Sequence, residues 1–334
     1  MAILVTGGTG YIGSHAVVEL LQKGEDVVII DNYSNSKKEV LESIEIITEK
    51  KPKFYEGDCR DYKILDKIFE ENKIDSVMNF AGYKAVGESA ENPLLYYNNN
   101  LVSAIALLET MQKFGCRKFI FSSTSTVYGD PEELPLTEEC KTGSTTNPYS
   151  STKTMIERFL IDLYKSDNTW DICILRYFNV IGAHESGIIG EEPNGVPNNL
   201  MPYIMQVASR KREYLNVYGN DYNTKDGTGI RDYIHVVDLA KAHVKALEKL
   251  NKENTGLYIY NVGTGKGYSV LDIINNFEKV NNIKIPYRMM PRRTGDVAAL
   301  YANPIKAKEE LEWVAEKGIV EMCRDSWNFE KKHM

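Results

Sequence analysis

Tyr149 and Lys153 are the side chains of this sequence best suited by type and spacing to move a proton. Residues four apart lie on one face of a helix, one turn from each other. A phenol has an unperturbed pKa of about 10, and lowering it to about 7 requires roughly 4 kcal/mol of preferential stabilisation of the phenolate. An ammonium nearby can supply part of this stabilisation. The pair therefore indicates a general base that acts on an alcohol.

Chance alone also produces such pairs. With 21 tyrosines in the chain, about two Tyr-x-x-x-Lys pairs are expected at random. The sequence holds two, and the other pair is Tyr33 and Lys37. Tyr149 differs because it follows the fifth predicted strand after a loop and begins a predicted helix.

A run of hydroxyl side chains leaves the end of that fifth strand. Ser122, Ser123 and Thr124 follow the apolar residues of a strand predicted over 118–122. The carboxyl end of a parallel strand is where ligands bind, so a hydroxyl there can hydrogen-bond a reacting oxygen. The alternative is an ordinary Ser/Thr turn.

Three glycines, Gly7, Gly10 and Gly13, join the first strand to the first helix. Glycines let the backbone turn sharply and approach a pyrophosphate, whose charge is stabilised at the helix amino end. The spacing differs from the usual G-x-G-x-x-G. Asp31 ends the second strand, where a carboxylate can bind both hydroxyls of an adenosine ribose and would repel a 2′-phosphate. The pattern predicts NAD rather than NADP, although Lys37 and the residue after it could reach a phosphate.

The elements that must position these groups alternate between strand and helix. Parallel sheets covered on both faces contain continuous apolar runs of this kind, and their ligands bind at the carboxyl ends of the strands. The predicted strands cover residues 3–6, 27–30, 53–56, 76–80, 118–122 and 172–176, and the predicted helices cover 11–23, 38–50, 62–71, 93–114 and 149–165. The expected fold is α/β, a doubly wound parallel Rossmann sheet with a smaller, interleaved C-terminal α/β substrate domain.

The regular alternation ends after residue 176. Residues 182–232 are rich in Gly, Asn and Pro, with one clear helical stretch at 201–210. We predict an NAD-binding domain over 1–176 and a substrate domain over 177–334. The boundary is soft, because a helix at 235–250 and a strand at 258–262 are expected to return parts of 233–262 to the first domain.

Composition excludes several classes of protein. The 334 residues carry a formal net charge of -7, which disfavours nucleic acid and anionic membrane surfaces as partners. No apolar run reaches the length of a membrane span. Five widely spaced cysteines predict neither disulfides nor a zinc site and indicate a reducing, cytoplasmic setting. The five histidines have no metal-ligand spacing, so no metal is expected.

Together these motifs resemble the extended short-chain dehydrogenase/reductase family. Further segments, at 31–36, 80–89, 176–179, 197–203, 226–235 and 292–296, resemble the UDP-glucose 4-epimerases within it. The resemblance covers essentially the whole chain and keeps the motif order.

The resemblance implies a role for each matching position. The catalytic residues would be Tyr149, Lys153 and Thr124. NAD would contact Gly7, Gly10, Tyr11, Ile12, Gly13, Asp31, Asn32, Asn35, Ser36, Asp58, Cys59, Phe80, Ala81, Gly82, Lys84, Asn99, Ser122, Tyr149, Lys153 and Tyr177. The UDP-sugar would contact Thr124, Asn179, Asn199, Leu200, Asn216, Tyr218, Arg231, Arg292, Asp296 and Leu300. For the two arginines, a surface ion pair is the alternative to a contact with the diphosphate.

The implied activity is the reversible interconversion of UDP-glucose and UDP-galactose through a 4-keto sugar, with NAD kept bound. Leu300 occupies the position that walls the hexose pocket, so N-acetylated UDP-sugars are expected as slower substrates. A homodimer through the helices at 93–114 and 149–165 is implied as well. Two alternatives stay open: a nucleotide-sugar 4,6-dehydratase, disfavoured by the sequence Thr124-Ser125-Thr126, and a non-catalytic NAD-sensing protein, disfavoured by the presence of Tyr149 and Lys153.

Overall fold

The computed structural model describes residues 1–192, 197, 199–252, 255–293 and 295–334. Its first half consists of short strands that alternate with helices, in the order predicted from the apolar runs. The elements are β1 (Ala2–Thr6), α1 (Tyr11–Gln22), β2 (Asp26–Asp31), α2 (Glu39–Thr48), β3 (Lys53–Glu56), α3 (Tyr62–Glu71), β4 (Ile74–Asn79), α4 (Val86–Glu91), α5 (Pro93–Lys113), β5 (Lys118–Thr124), α6 (Pro148–Ser166) and β6 (Asp171–Tyr177).

The later elements include several strands of two to four residues, and α8 is the longest helix among them. They are β7 (Asn179–Ile181), α7 (Leu200–Ala208), β8 (Leu215–Tyr218), β9 (Ile230–His235), α8 (Val236–Lys252), β10 (Leu257–Val262), β11 (Gly267–Ser269), α9 (Val270–Asn281), β12 (Tyr287–Met290), β13 (Ala299–Leu300), α10 (Ile305–Glu310) and α11 (Ile319–Lys332). The helix predicted over 201–210 ends earlier, because Arg210 takes a left-handed backbone conformation with φ 62°.

Among the described residues, a seven-stranded sheet has the order β10-β6-β5-β4-β1-β2-β3. The pairs β1–β2, β2–β3, β1–β4 and β4–β5 are parallel. The chain order runs outward from β1 to β3 in one direction and from β4 to β6 in the other. The switch point, where such sheets bind ligands, therefore lies between β1 and β4. This arrangement confirms the predicted α/β Rossmann fold.

Apolar residues of the strands and of the covering helices form the core around this sheet. Leu4, Val77, Phe119 and Ile172 contribute from the strands. Leu107 and Leu160 contribute from α5 and α6, and each of them is fully buried. Strands buried on both faces explain why their sequences read as continuous apolar runs rather than as alternating ones.

The chain forms two compact units. The first contains residues 1–129, 141–176 and 240–260, and the second contains 130–140, 177–239 and 261–334. In the second unit, β9 pairs with β7, β11 and β13, and β8 pairs with β12. A separate apolar cluster there includes Ile204, Val217, Tyr233, Ile273 and Phe277. In the described part of the chain, no helix is long and apolar enough to cross a membrane.

Candidate active site

The glycine loop after β1 lies beside the residues that follow β4, at the switch point of the sheet. Gly7 has φ 68°, a left-handed conformation that L side chains rarely adopt. A Cβ on Gly7 would lie 2.9 Å from the Ala81 nitrogen, and one on Gly13 would lie 2.2 Å from the Gly7 carbonyl oxygen. Gly10 caps α1 and donates its N–H to the Gly7 oxygen over 3.0 Å. The three glycines are thus required by close backbone packing at a helix amino end, where a pyrophosphate is stabilised.

The Asp31 carboxylate is held against this loop. It accepts hydrogen bonds from the Thr9 amide at 3.1 Å, the Tyr33 amide at 2.9 Å and the Ser36 hydroxyl at 3.1 Å. Asp31 is only 8% exposed, so these donors replace the solvation that its carboxylate loses on burial. Lys38, which could otherwise attract a 2′-phosphate, pairs with Glu56 at 3.2 Å. The local charge at the end of β2 therefore favours a ribose without that phosphate.

The residues around Asp58 that are predicted to contact NAD are organised by an arginine that sequence reasoning did not identify. Arg60 donates from Nε and Nη2 to the two carboxylate oxygens of Asp58, over 2.9 and 2.6 Å. This bidentate bond from Arg60 holds the pKa of Asp58 below its usual value. Asn32 donates to the same carboxylate at 3.4 Å, and Cys59 is buried beside it. The predicted residues Asn32, Asp58 and Cys59 are thus brought together.

A second unpredicted residue, Asn100, connects the loop after β4 to α6. Its amide accepts from the Tyr83 N–H at 2.8 Å, donates to the Tyr83 oxygen at 3.1 Å and donates to the Thr152 hydroxyl at 3.0 Å. Asn99 donates to Asn100 at 3.2 Å, and Gly82, with φ 154°, faces the same side chain. Three consecutive asparagines, at 98–100, follow an apolar first turn of this helix and were the available signal.

The other residues predicted to bind NAD lie in several separate elements or in the loops that follow them. Lys84 is exposed, and its Nζ lies 5.7 Å from the centre of the Tyr11 ring. The Phe80 ring lies 4.6 Å from that of His243. Ile12 is half-buried, Asn35 is exposed, and Tyr177 ends β6 as a half-buried residue of the second unit.

The catalytic candidates meet where β5 ends and α6 begins. Thr124 ends β5, and its hydroxyl accepts the Thr126 N–H at 3.2 Å, which caps a short 3-10 turn. Asn147 caps α6 by accepting the Ser150 N–H at 2.9 Å, so Tyr149 lies in the first turn of that helix. The positive end of the helix dipole there favours an anion. The side chain of Thr124 lies close enough to the Tyr149 phenol to lower its pKa.

Burial and the neighbouring Thr124 side chain shift the pKa of the Tyr149 phenol in opposite directions. Burial raises the pKa of Tyr149 to about 12, and the Thr124 side chain opposes that rise. Ionisation near neutral pH therefore requires further positive charge close to the phenol oxygen.

Lys153 is buried one turn further along α6, with 6% of its surface exposed. Its Nζ donates to the Ser122 carbonyl oxygen at 2.7 Å and lies 4.8 Å from the centre of the Phe121 ring. Burial lowers the pKa of Lys153 to about 8, and the charge of Glu157 opposes that fall. The lysine can thus be cationic at neutral pH with a small margin.

The second unit holds the residues predicted to contact the UDP-sugar, except Thr124. Arg231 in β9 is beside Leu300 in β13, which is 5% exposed. Arg292 donates from Nε to the Asp221 carboxylate at 2.7 Å, and its guanidinium lies 4.0 Å from the centre of the Tyr222 ring. The ion pair that was the alternative reading for this arginine is therefore present, and a contact with diphosphate stays a prediction.

The remaining residues predicted to contact the UDP-sugar lie in short elements of the second unit or beside them. Asn216 and Tyr218 alternate along β8 with buried residues and so share its other face. Asp296 accepts from Arg293 Nε at 2.9 Å. Asn199 caps α7 and donates to Glu191 at 2.9 Å, Leu200 begins that helix, and Asn179 begins β7 as an exposed residue. Asn198, in the same segment as Asn199, lies outside the described residues. In the described ranges, no group of three or more His, Cys, Asp or Glu side chains could hold a metal ion.

Comparison with known proteins agrees with this geometry. The model of the GDP-mannose 4,6 dehydratase family matches residues 4–326. The UDP-glucose 4-epimerase of Pasteurella multocida is 57% identical over 333 residues, which is 100% of this chain and 98% of that protein. The enzyme of the same name from Bacillus subtilis is 56% identical over 334 residues, again 100% and 98%.

A solved structure extends the similarity to three dimensions. The UDP-glucose 4-epimerase of Bifidobacterium longum, in complex with NAD+ and UDP, superposes with a TM-score of 0.97 at 52% identity and covers 99% of this chain and 98% of that one. The chain therefore belongs to the UDP-glucose 4-epimerases of the extended short-chain dehydrogenase/reductase family.

Proposed function

We propose that this protein interconverts UDP-glucose and UDP-galactose, with Tyr149 as the base. The observation that carries the proposal is the Tyr149 phenol in the first turn of α6, beside the Thr124 side chain and with Lys153 one turn behind it. This arrangement suits a phenolate that takes a proton from a sugar hydroxyl, because the helix end and a cation both favour the anion.

NAD is the cofactor, and the residues around the glycine loop fit it. The loop backbone approaches closely enough for a pyrophosphate, and the Asp31 carboxylate ends β2 where an adenosine ribose would lie. When bound, NAD accepts a hydride from C4 of the sugar and returns it. We retain the assignment of NAD to residues 1–176 and of the UDP-sugar to 177–334 as part of the proposal.

The chain's own residues perform the proton transfers. Tyr149 accepts the proton of the 4-hydroxyl as the C4–H bond breaks, and Thr124 hydrogen-bonds the oxygen that becomes the ketone. After the 4-keto sugar has turned over, Tyr149 returns the proton to the oxygen as hydride reaches the opposite face of C4. Such a cycle needs a firmly bound UDP group and a loosely held hexose, and we assign the first task to Arg231 and Arg292.

Incubation of the purified protein with UDP-galactose tests the proposal. We expect UDP-glucose to accumulate toward equilibrium without added cofactor, and NAD to be released only on denaturation. A product that has lost one water would instead identify a 4,6-dehydratase, and no turnover with bound NAD would identify a sensing protein. Ser125 and Thr126, which follow Thr124, are not the acid and base that elimination requires.

We infer that the protein acts as a cytoplasmic homodimer. Leu94, Val102 and Ile105 on α5, with Met155 on α6, are apolar side chains that are 38–80% exposed. Apolar surface of this kind marks a protein–protein contact, and this one lies on the helices predicted to dimerise. Light scattering of wild type and of Ile105→Glu tests it, since the charge should convert a dimer into a monomer. The five free cysteines are compatible with a reducing compartment.

A further inference from the structure

A buried carboxylate lies one helical turn beyond Lys153. Glu157 is 3% exposed, and its partner Arg176 in β6 is 4% exposed. Arg176 donates to the carboxylate from Nη2 at 2.7 Å and from Nε at 3.0 and 3.2 Å. Ser123 donates its hydroxyl to Oε1 of Glu157 at 2.5 Å. A charge pair this deeply buried is costly to desolvate and gives only weak evidence of a stabilising role, so another role has to be sought.

The hydrogen bonds of Glu157 converge on the end of β5. Ser123, which the carboxylate binds, lies between the two residues that contact the catalytic pair. The Ser122 carbonyl oxygen accepts a hydrogen bond from Lys153, and the Thr124 side chain lies beside Tyr149. Glu157 therefore holds the residue whose two chain neighbours contact Lys153 and Tyr149.

Arg176 extends the same network to the turn that follows Thr124. Its Nη1 donates to the Tyr128 hydroxyl at 3.0 Å, and Tyr128 ends the 3-10 turn that Thr124 caps.

The charge of Glu157 also acts on the lysine. Burial lowers the pKa of Lys153, and Glu157 is the influence that raises it. The titratable groups around this site are Tyr149 and Glu157 on α6, Arg176 on β6, Tyr128 in the 3-10 turn, and Tyr96 on α5 with Glu88 on α4. Of these groups, Glu157 is the buried acidic one, and it lies one turn from Lys153 on the same face of α6.

We propose that Glu157 is a positioning residue for the reaction, which holds the end of β5 through Ser123 and places a buried carboxylate one helical turn from Lys153. The proposal rests on the function proposed above only in its link to turnover. The charge of Lys153 is a property of the protein alone, so the two can be tested separately.

The direct test follows the Lys153 ammonium by NMR. The 13Cε signal of Lys153, assigned by its loss in Lys153→Arg, is titrated in the wild type and in Glu157→Gln. We expect the midpoint to fall by about one pH unit in the variant, because the opposing charge has been removed. In parallel, the alkaline limb of the pH–kcat profile should move to lower pH by a similar interval, with KM for the UDP-sugar changed by less than about twofold.

Two further variants make the test decisive. Glu157→Gln leaves the buried Arg176 charge without its partner. The double variant E157Q/R176M removes both charges, so it should fold even if Glu157→Gln does not. The midpoint should still lie below that of wild type in the double variant, although the loss of the Arg176 cation makes the fall smaller than in Glu157→Gln. Asp162→Asn, which removes an exposed carboxylate of the same helix that pairs with Arg158, is the matched control and should behave as wild type.

The outcomes separate cleanly. An unchanged Lys153 midpoint in both Glu157 variants overturns the proposal, even if activity falls, because the carboxylate would then be structural only. A lowered midpoint in a protein that does not epimerise UDP-galactose would support the link between Glu157 and Lys153 and contradict the proposed function.

Discussion

Replacement of Tyr149 by phenylalanine tests the proposed base most directly. The change removes one oxygen and keeps the ring in the first turn of α6. The backbone there is capped by Asn147, which accepts the Ser150 N–H, and the cap does not involve the phenol. We therefore expect the fold, the bound NAD and the affinity for UDP to be retained, while turnover is lost.

The size of the loss follows from the state of the phenol. Its pKa is raised to about 12 by burial, which is roughly five units above neutral pH, and each unit corresponds to about 1.4 kcal/mol. Roughly 7 kcal/mol must therefore come from positive charge at the site, namely the helix end, Lys153 and the oxidised nicotinamide. Removal of the phenol oxygen should therefore abolish general-base catalysis. This catalysis contributes about 10²–10⁴ in rate, or roughly 3–5 kcal/mol.

The assay compares kcat for UDP-galactose with NAD content and with UDP affinity in the same preparations. Tyr164→Phe is the control, because it removes a phenol oxygen from the same helix at a side chain that packs against the core. If Tyr149→Phe turned over within about threefold of wild type, Tyr149 would not be the base. Equal losses in both variants would point to a general weakening of α6.

Three other changes have defined outcomes. Gly13→Ala places a methyl group 2.2 Å from the Gly7 oxygen, so the purified variant should carry less than about a tenth of the wild-type NAD, measured after acid release. Arg176→Met leaves the Glu157 carboxylate buried without its cation, and the free energy of unfolding, measured in urea, should fall by about 3–5 kcal/mol. Leu300→Tyr adds roughly four heavy atoms at a buried wall, where an acetamido group would need space for roughly three. Wild type should convert UDP-N-acetylglucosamine slowly, and the variant should lose only that activity.

Each of these changes has its own control. Gly87→Ala, where an added Cβ has no heavy atom within 4 Å, should keep its NAD. The double variant E157Q/R176M should regain most of the stability lost by Arg176→Met, since no charge is then left unpaired. Absence of N-acetyl turnover in the wild type would contradict the reasoning about Leu300.

The elements of the first half of the fold could be predicted from the sequence to within two residues at each end, except for α4, which was not predicted. The strand predicted over 53–56 and the helix predicted over 62–71 agree with β3 and α3 at both ends. This success has a local cause, because fully buried parallel strands are continuous apolar runs separated by glycine and polar turns. The second unit was predicted poorly. Its strands are two to six residues long in β13, β11 and β9, and such strands depend on pairing with distant segments rather than on their own sequence pattern.

The same division holds for the site. The glycine loop, Asp31 and the Tyr149–Lys153 pair could be identified from spacing, because neighbours on one loop or one helix turn are positioned by the local backbone. The sequence therefore indicated the chemistry and the cofactor. No motif spacing identified a residue at the wall of the hexose pocket, so Leu300 was assigned to it from the family resemblance.

Only the tertiary structure revealed the groups that support these residues. Asn100 reaches Thr152 across 52 positions, Glu157 reaches back 34 positions to Ser123, and Arg292 pairs with Asp221 across 71. No local pattern predicts such partners, because a buried polar side chain is satisfied by whichever group the packing of separate elements brings within hydrogen-bond distance. The charge state of Lys153 is decided in the same way. It depends on how deeply the chain buries the ammonium and on which charges lie near it, and both are properties of the folded protein.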